Sequence, residues 1–258
     1  MILLRIVIKV GTSTLAHKTG LLNIKRVENM CKVISDLKNA GHEILLVSSG
    51  AIGMGLGKVG ITSRPDDIPT KQAAAAIGQC ELMYTYDKLF SEYNHTVAQI
   101  LMTGAYVTIE DYGKNLKNTL FRLLELGVIP IINENDTVTT DEIVIGDNDT
   151  LGATIANEVK ADLLILLSDI DGLFTDDPNK NPNAKRISVV DEITKEIETL
   201  AGNRGSVLGT GGMITKINAA KLVTQNGIDM IIANGRNPEI LYEIINGEGI
   251  CTRFVGKK

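Results

Sequence analysis

The sequence predicts an α/β fold in which a mostly parallel sheet is covered by helices on both faces. Short apolar runs alternate with longer helical segments along the chain, which is the order that strand–helix–strand units produce. The runs are apolar throughout, as expected of strands buried on both sides. Gly41, Gly127 and Gly227 follow helical segments where a C-cap is expected. No linker or repeat divides the chain, so we expect one domain over residues 1–258.

Six strands and six helices are expected, in strict alternation. Each strand is an apolar run of strand length, and the strands are Ile2–Ile8, Ile44–Val47, Val97–Met102, Val128–Ile132, Leu163–Leu167 and Ile228–Ile232. The helical segments between and after them are Ile24–Asn39, Thr70–Tyr93, Glu110–Leu126, Thr150–Val159, Ile214–Gln225 and Pro238–Ile245.

The segment Gly55–Gly60 formally fits the pattern G-x-G-x-x-G of dinucleotide-binding turns. Its glycines begin well beyond the apolar core of the preceding strand, and no strand follows to complete a βαβ unit. We therefore expect a mobile glycine-rich loop here, without dinucleotide binding and with no role that the sequence defines.

Composition excludes several classes of protein. The chain has 258 residues with 26 basic and 31 acidic side chains, a net charge of −5, so it offers no global field for nucleic acid. Aromatic residues are 4% and Trp is absent, which disfavours a base-stacking platform. The three cysteines lack the spacing of a zinc site or a disulfide framework. No apolar run reaches the length of a membrane span, and no signal peptide is recognisable. We expect a cytoplasmic protein that binds neither nucleic acid nor membrane.

The segment Ser206–Lys216 is the strongest candidate for a phosphate-binding loop. It places three glycines directly before a helical stretch, and Lys216 follows one turn inside that stretch. Glycine lets backbone N–H groups approach a bulky anion, and a helix N-terminus adds unpaired N–H groups and partial positive charge. The spacing differs from a P-loop, in which lysine directly follows glycine. The alternative is a glycine-rich turn before an ordinary amphipathic helix.

Polar residues follow several of the predicted strands. Lys9–Ser13 ends the first strand, and Ser48, Ser49 and Gly50 follow the second. In open α/β sheets, ligands bind beyond the carboxyl ends of the strands, so these residues would face a ligand. Alternatively, Lys9 is only a solvent-facing end of its strand.

Acidic and amide residues follow the fourth and fifth strands in three groups. These groups are Asn133–Thr137, Gly146–Thr150 and Ser168–Gly172. Helix capping by Asp149 or turn chemistry could explain some of them. None of the three histidines lies in these groups, and no nucleophilic triad is recognisable. Carboxylates together with phosphate-binding loops instead indicate phosphoryl transfer with Mg²⁺.

These motifs, in this order, resemble the amino-acid kinase family, and the resemblance covers essentially the whole chain. It implies a three-layer αβα sandwich, with an acceptor lobe at about residues 1–160 and a nucleotide lobe at about residues 161–258. Many relatives carry a C-terminal RNA-binding-type domain of the PUA kind. This chain stops at Lys258, soon after the kinase portion, so we expect that domain to be absent.

The resemblance also implies an activity, which is ATP-dependent phosphorylation of the side-chain carboxylate of L-glutamate, the first step of proline biosynthesis. Catalytic roles would fall to Lys9, Lys216 and Asp149. Glutamate would be held by Ser49, Gly50, Asp136 and Asn148. ATP would be bound by Lys9, Ser168, Asp169, Thr210, Gly211, Gly212, Met213, Ile214, Thr215 and Lys216. No metal ligand is assigned, although Mg²⁺ is expected to accompany ATP.

A homo-oligomer and feedback inhibition by proline are further implications of the resemblance. Two alternatives remain open at this point. The first is a kinase of the same fold that acts on another small acid, such as N-acetylglutamate, aspartate or carbamate. The second is a non-catalytic sensor of ATP or an amino acid, against which the presence of both lysines argues.

Overall fold

The computed structural model places an eight-stranded sheet at the centre of the molecule. The residues that it describes are 2–17, 21–63, 65–103, 110–138, 148–178, 180–202 and 212–257. Within them the strands are β1 (Arg5–Val10), β2 (Glu43–Ser48), β3 (Val97–Met102), β4 (Ile129–Glu134), β5 (Leu163–Ser168), β6 (Leu173–Phe174), β7 (Arg186–Ile187), β8 (Val189–Val190), β9 (Asp229–Asn234) and β10 (Cys251–Phe254). The sheet has the order β3-β4-β2-β1-β5-β9-β10-β8.

The first six strands of this order are mutually parallel, whereas β10 is antiparallel to β9. The expected mostly parallel sheet is therefore confirmed. Because parallel strands share one carboxyl edge, the segments that leave β1, β2, β4, β5 and β9 emerge on the same side of the molecule.

Helices cover both faces of the sheet. In the described residues they are α1 (Thr12–Leu15), α2 (Ile24–Asn39), α3 (Ala51–Lys58), α4 (Ile68–Ser91), α5 (Glu110–Glu125), α6 (Asn148–Glu158), α7 (Lys195–Gly202), α8 (Met213–Thr224) and α9 (Ile240–Ile245). The six predicted helices correspond to α2, α4, α5, α6, α8 and α9, with ends that differ by two residues at most. None of the described helices is both long and apolar enough to cross a bilayer.

Alternation along β1 divides the core into two layers. Ile6 and Ile8 belong to a buried cluster that contains residues of α2, α4 and α9. Val7 belongs to a second cluster, which contains residues of α5, α6 and α8. Successive side chains of a strand point to opposite faces, so the sheet is packed between two helical layers. The expected three-layer αβα sandwich is confirmed.

The glycine-rich segment after β2 corrects the expectation of a loop, because residues 51–58 form the helix α3. This helix packs tightly against α4. A Cβ on Gly55 would lie 1.8 Å from the backbone oxygen of Ala74, and one on Gly78 would lie 1.7 Å from that of Ala51. Glycine therefore lets the two helix backbones touch, and packing overrides the low helix propensity of these residues.

The first strand also differs from expectation, since β1 begins at Arg5 whereas the sequence predicts a strand from Ile2. Pairing with β2 starts where Arg5 stands opposite Glu43. Ile2 and Leu3 precede this ladder and are largely exposed. The apolar run is thus longer than the part that the sheet can pair. The predicted C-cap glycines are confirmed, because Gly41, Gly127 and Gly227 all have positive φ.

Candidate active site

Lys9 lies on the central strand β1 and is 8% exposed. Side chains alternate between the two faces of a strand, so Lys9 lies on the same face as Val7, which is covered by α6 and α8. A lysine in this position is almost never buried unless its charge is paired. The alternative of a solvent-facing strand end is therefore wrong, and the partner of Lys9 becomes the central feature of the site.

That partner is Asp149, the second residue of α6, whose side chain is fully buried. Lys9 Nζ lies 2.8 Å from Asp149 Oδ1, and Lys216 Nζ lies 2.9 Å from Asp149 Oδ2. Lys216 is itself only 6% exposed. One carboxylate thus holds two ammonium groups, which come from distant parts of the sequence and sit at the carboxyl edge of the sheet.

The electrostatics of this triad follow from burial and charge. Burial alone would raise the pKa of Asp149, but the ion pairs with Lys9 and Lys216 outweigh it and hold the pKa well below its usual range. The carboxylate is therefore ionised at all physiological pH values. Two positive charges against one negative charge leave the cluster with a net charge of +1, which suits an anionic ligand.

Lys216 lies one turn inside α8, as the sequence predicts. This helix begins after Gly212, which provides no side-chain cap, so the first N–H groups have no partner within the helix. The Thr215 hydroxyl lies 2.8 Å from Asp149 Oδ2 and 2.8 Å from the Gly212 carbonyl oxygen. The threonine therefore ties the helix start to the carboxylate that holds the lysines.

A second group of polar residues surrounds the end of β2. The Asn148 side-chain amide donates to Ser49 Oγ at 2.7 Å and to Asn133 Oδ1 at 3.1 Å. Gly50 has a φ of 107° and is the N-cap residue of α3, so the first-turn N–H groups of that helix lie at the same edge. Because Asn148 directly precedes Asp149, this group is contiguous with the lysine cluster.

Asp136 follows β4 and is 9% exposed. Burial raises the pKa of its carboxyl group to about 6. Among the described residues, its Oδ1 has no hydrogen-bond partner. A buried carboxylate without a partner is costly, so a charged or donating ligand group would relieve it.

Ser168 and Asp169 lie at the end of β5 and contact each other, with Ser168 Oγ 3.3 Å from Asp169 Oδ1. The backbone N–H of Gly235, just after β9, donates to the carbonyl of Ser168 at 2.8 Å. These residues share the carboxyl edge with the lysine cluster. The expected ATP-binding residues Thr210 and Gly211, and the acidic Asp147, lie outside the described residues.

Two further residues belong to this site: Asn133, which the sequence places in a polar group but to which it assigns no role, and Gln79, of which the sequence gives no direct indication. Asn133 Nδ2 donates to Gln79 Oε1 at 2.9 Å, and Asn133 also binds Asn148. Gln79 lies on α4 next to the buried positions Gly78 and Leu82. A glutamine beside the buried face of a helix is a signal that could have drawn attention to it.

Metal-binding capacity is limited in the described part of the chain, where no three His, Cys, Asp or Glu side chains cluster as a metal site would require. Asp149, the most deeply buried carboxylate of the site, is already engaged by two lysines.

Comparison with known proteins agrees with this picture. The model of the amino acid kinase family matches residues 4–234. Curated relatives named glutamate 5-kinase include one from Clostridium perfringens, 54% identical over 98% of this chain and 96% of its own length. Others come from Clostridium acetobutylicum, at 53% identity over 98% of this chain and 95% of the relative, and from Listeria monocytogenes, at 49% over 98% and 94%.

Solved structures share the fold at much lower identity. Carbamate kinase from Giardia lamblia bound to AMP-PNP superposes with a TM-score of 0.71 at 17% identity, covering 99% of both chains. An isopentenyl phosphate kinase substrate complex gives a TM-score of 0.66 at 16% identity, covering 97% of this chain and 99% of the other. At such identities the likeness concerns the fold alone.

Proposed function

The chain belongs to the amino acid kinase family, and we propose that it transfers the γ-phosphoryl group of ATP to the side-chain carboxylate of L-glutamate. The products are ADP and the acyl phosphate L-glutamyl 5-phosphate. The acceptor follows from relatives named glutamate 5-kinase that are roughly half identical to the chain over nearly its full length. The structural observation that carries the chemistry is the pairing of Lys9 and Lys216 on the buried carboxylate of Asp149.

This reaction needs positioning and charge neutralisation more than proton transfer. The side-chain carboxylate of glutamate has a reference pKa of about 4.3, so it is ionised at pH 7 and needs no general base. The obstacle is repulsion between anions, about 4 kcal/mol for two unit charges 4 Å apart at an effective dielectric of 20. Two ammonium groups fixed by one carboxylate offset that repulsion, and most of all where charge develops on the transferring group.

In this proposal Lys9 and Lys216 contact the transferring phosphoryl group, and Asp149 orients both lysines without touching the substrates. A nucleophile other than the glutamate carboxylate is not required. The γ-phosphorus–oxygen bond to ADP breaks as the bond to the carboxylate oxygen forms, and ADP leaves as an anion that the same lysines stabilise.

Glutamate is held by Ser49, Gly50, Asp136 and Asn148. Asp136 accepts from the α-ammonium group, which suits a buried carboxylate that lacks a partner among the described residues. The N–H groups at the start of α3, just after Gly50, suit the α-carboxylate. These assignments place the acceptor in the lobe formed by about residues 1–160.

ATP is bound by the lobe formed by about residues 161–258, through Ser168, Asp169 and residues 210–216, with Lys9 reaching it from β1. The start of α8, where Gly212 supplies no side-chain cap, suits a phosphate group, because its N–H groups and dipole both favour an anion. When bound with ATP, Mg²⁺ would add positive charge to the phosphates, as it usually does in kinases, and we assign it no side-chain ligand.

We further propose that the enzyme acts in proline biosynthesis in the cytoplasm, as a homo-oligomer inhibited by proline. The oligomer and the inhibition rest on the family resemblance alone. Size-exclusion chromatography with light scattering tests the first, and glutamate-saturation curves measured with added proline test the second.

The decisive experiment measures ADP release by the purified protein with Mg·ATP and each of several acids. Hydroxylamine is included, because it converts an acyl phosphate to a coloured hydroxamate. We expect release and hydroxamate with L-glutamate, at rates at least a hundredfold above those with N-acetylglutamate, aspartate or carbamate. Comparable or faster turnover of another acid would overturn the choice of acceptor. No turnover of any acid would overturn the kinase assignment.

A further inference from the structure

Three amide side chains form a continuous hydrogen-bonded row beneath the proposed glutamate site. We call Gln79, Asn133 and Asn148 the amide row. Asn148 Nδ2 donates to Asn133 Oδ1 at 3.1 Å, and Asn133 Nδ2 donates to Gln79 Oε1 at 2.9 Å. Asn133 and Asn148 are 2% and 3% exposed, so the bond between them is buried, whereas the bond to Gln79 is partly buried. The row links α4, the end of β4 and the start of α6.

One backbone group fixes the orientation of the whole row. The N–H of Glu134 lies 2.9 Å from one end of the Asn133 amide, and a backbone N–H can only donate. That end of Asn133 must therefore be its oxygen, and the opposite end its NH₂ group. The NH₂ group in turn requires an oxygen from Gln79, while the Asn133 oxygen requires the NH₂ group of Asn148. The orientation follows from chemistry rather than from a choice between similar atoms.

The consequence appears at the end of the row, in Asn148. Its NH₂ group is used by Asn133 and by Ser49 Oγ, at 2.7 Å. Its oxygen is buried and has no hydrogen-bond partner among the described residues. Asp136 offers a second buried oxygen of the same kind. Both groups can only accept, which is the chemistry that an ammonium group requires.

We propose that Gln79 is a positioning residue that, through Asn133, keeps the Asn148 oxygen available to the α-ammonium group of the acceptor. The inference rests on the proposed function and extends its site to a residue of α4. Gln79 acts through its oxygen, because that atom is the acceptor for the Asn133 NH₂ group. The Gln79 nitrogen is buried and has no hydrogen-bond partner within the described residues, so the bond accepted by the oxygen is the one that accounts for a polar side chain here.

Loss of the Gln79 oxygen would leave the buried NH₂ group of Asn133 unpaired. Asn133 cannot relieve this by turning over, since its NH₂ group would then face the N–H of Glu134. It must shift instead, and Asn148 loses the acceptor that fixes its own orientation. The Asn148 amide can then present its NH₂ group to the substrate, which repels an ammonium group. The effect should fall on glutamate binding and leave the nucleotide unaffected.

The test compares Gln79→Met, Gln79→Glu and the matched control Gln72→Met, which makes the same exchange two turns earlier on α4. We expect Gln79→Met to raise the glutamate KM at least fivefold, with the ATP KM and the Gln72→Met values within twofold of wild type. Gln79→Glu keeps an acceptor oxygen for Asn133, so its glutamate KM should return to within twofold of wild type. Melting curves of all variants separate this pattern from a general loss of stability.

Several outcomes would overturn the inference while leaving the proposed function intact. An unchanged glutamate KM in Gln79→Met is one, and parallel shifts in the KM values of both substrates are another. Equal impairment of Gln79→Glu and Gln79→Met would show that the nitrogen matters rather than the oxygen. If the wild-type protein does not phosphorylate glutamate at all, the proposed function fails first and the inference fails with it.

Discussion

Replacing Asp149 with Asn tests the arrangement on which the proposed chemistry depends. The change keeps the shape of the side chain, removes its negative charge and replaces one acceptor oxygen with an NH₂ group. In the wild-type protein the carboxylate holds Lys9 and Lys216 at 2.8 Å and 2.9 Å. Without that charge, two nearly buried ammonium groups would face each other across a neutral amide.

The magnitude of the effect follows from these distances. The two ammonium nitrogens cannot lie more than about 8 Å apart, because each contacts an oxygen of the same carboxylate. Two unit charges at 8 Å repel by about 2 kcal/mol at an effective dielectric of 20. Breaking a buried ion pair by removing one partner destabilises a protein by about 3–5 kcal/mol. For a chain of this size we therefore expect a fall in melting temperature of roughly 10 °C.

We also expect a large fall in kcat, at temperatures where the variant is still folded. The lysines would separate or turn away from the transferring phosphate, and loss of one fixed charge from a transition state costs about a hundredfold or more in kcat. The assay is glutamate-dependent ADP release, measured below the lowered melting temperature so that all molecules are folded. Circular dichroism at the same temperature provides that control.

The double variant Asp149→Asn/Lys216→Met separates repulsion from misfolding. It removes one of the two opposed charges, so it should melt at a higher temperature than Asp149→Asn alone and yet remain inactive. Such non-additivity is expected for groups in direct contact. If Asp149→Asn melts within a few degrees of wild type and keeps more than a tenth of its kcat, the carboxylate does not organise the lysines and the reasoning is refuted.

Four further predictions concern the site and the fold. Lys216→Ala should lower kcat at least a hundredfold, about 2.7 kcal/mol, in a protein that stays folded; near-normal turnover would remove this lysine from the transition state. Asp136→Asn should raise the glutamate KM ten- to a hundredfold with little change in the ATP KM. Because burial raises the pKa of Asp136 to about 6, the wild-type kcat/KM for glutamate should fall about tenfold from pH 7 to pH 5, and Asp136→Asn should lose this dependence. Gly55→Ala should lower the melting temperature although alanine has the better helix propensity, because the new Cβ would clash with the Ala74 carbonyl. Gly53→Ala serves as the control, since a Cβ there would contact Thr12 Cγ2 at an ordinary distance of 3.8 Å.

The sequence predicts the sheet well because strands buried on both faces are continuous apolar runs. Apolar runs such as Leu163–Leu167 have no polar alternation, and the structure buries them between two helical layers. The two-residue strands β6, β7 and β8 are too short to form an apolar run, and their pairing depends on residues elsewhere in the sequence. The glycine-rich helix α3 could not be predicted from the sequence either, because its stability comes from packing against α4 rather than from the helix propensity of its own residues.

The sequence motifs name candidate residues for the site but do not indicate the contacts between them. Lys9, Asp149 and Lys216 each stand in a recognisable motif, yet nothing in their spacing indicates that one carboxylate serves both lysines. Gln79 stands outside every motif, shortly after the run of alanines at 73–76, in a segment whose sequence predicts only an ordinary helix. Its importance depends on the end of β4 reaching α4, a contact that only the folded chain reveals.

The two halves of the site have opposite electrostatic character: one presents positive charge and the other presents hydrogen-bond acceptors. Around the lysines, a buried carboxylate holds excess positive charge in place, and the uncapped start of α8 adds further donors. The NH₂ group of Asn148 donates to Ser49 and Asn133, and within the described ranges the buried oxygens Asn148 Oδ1 and Asp136 Oδ1 have no hydrogen-bond partner. Glutamate carries a cation at one end and the reacting anion at the other, and only one orientation matches this polarity. In the proposed site the amide row would therefore do more than favour an ammonium group, because fixing that end of glutamate would direct its side-chain carboxylate towards the lysines.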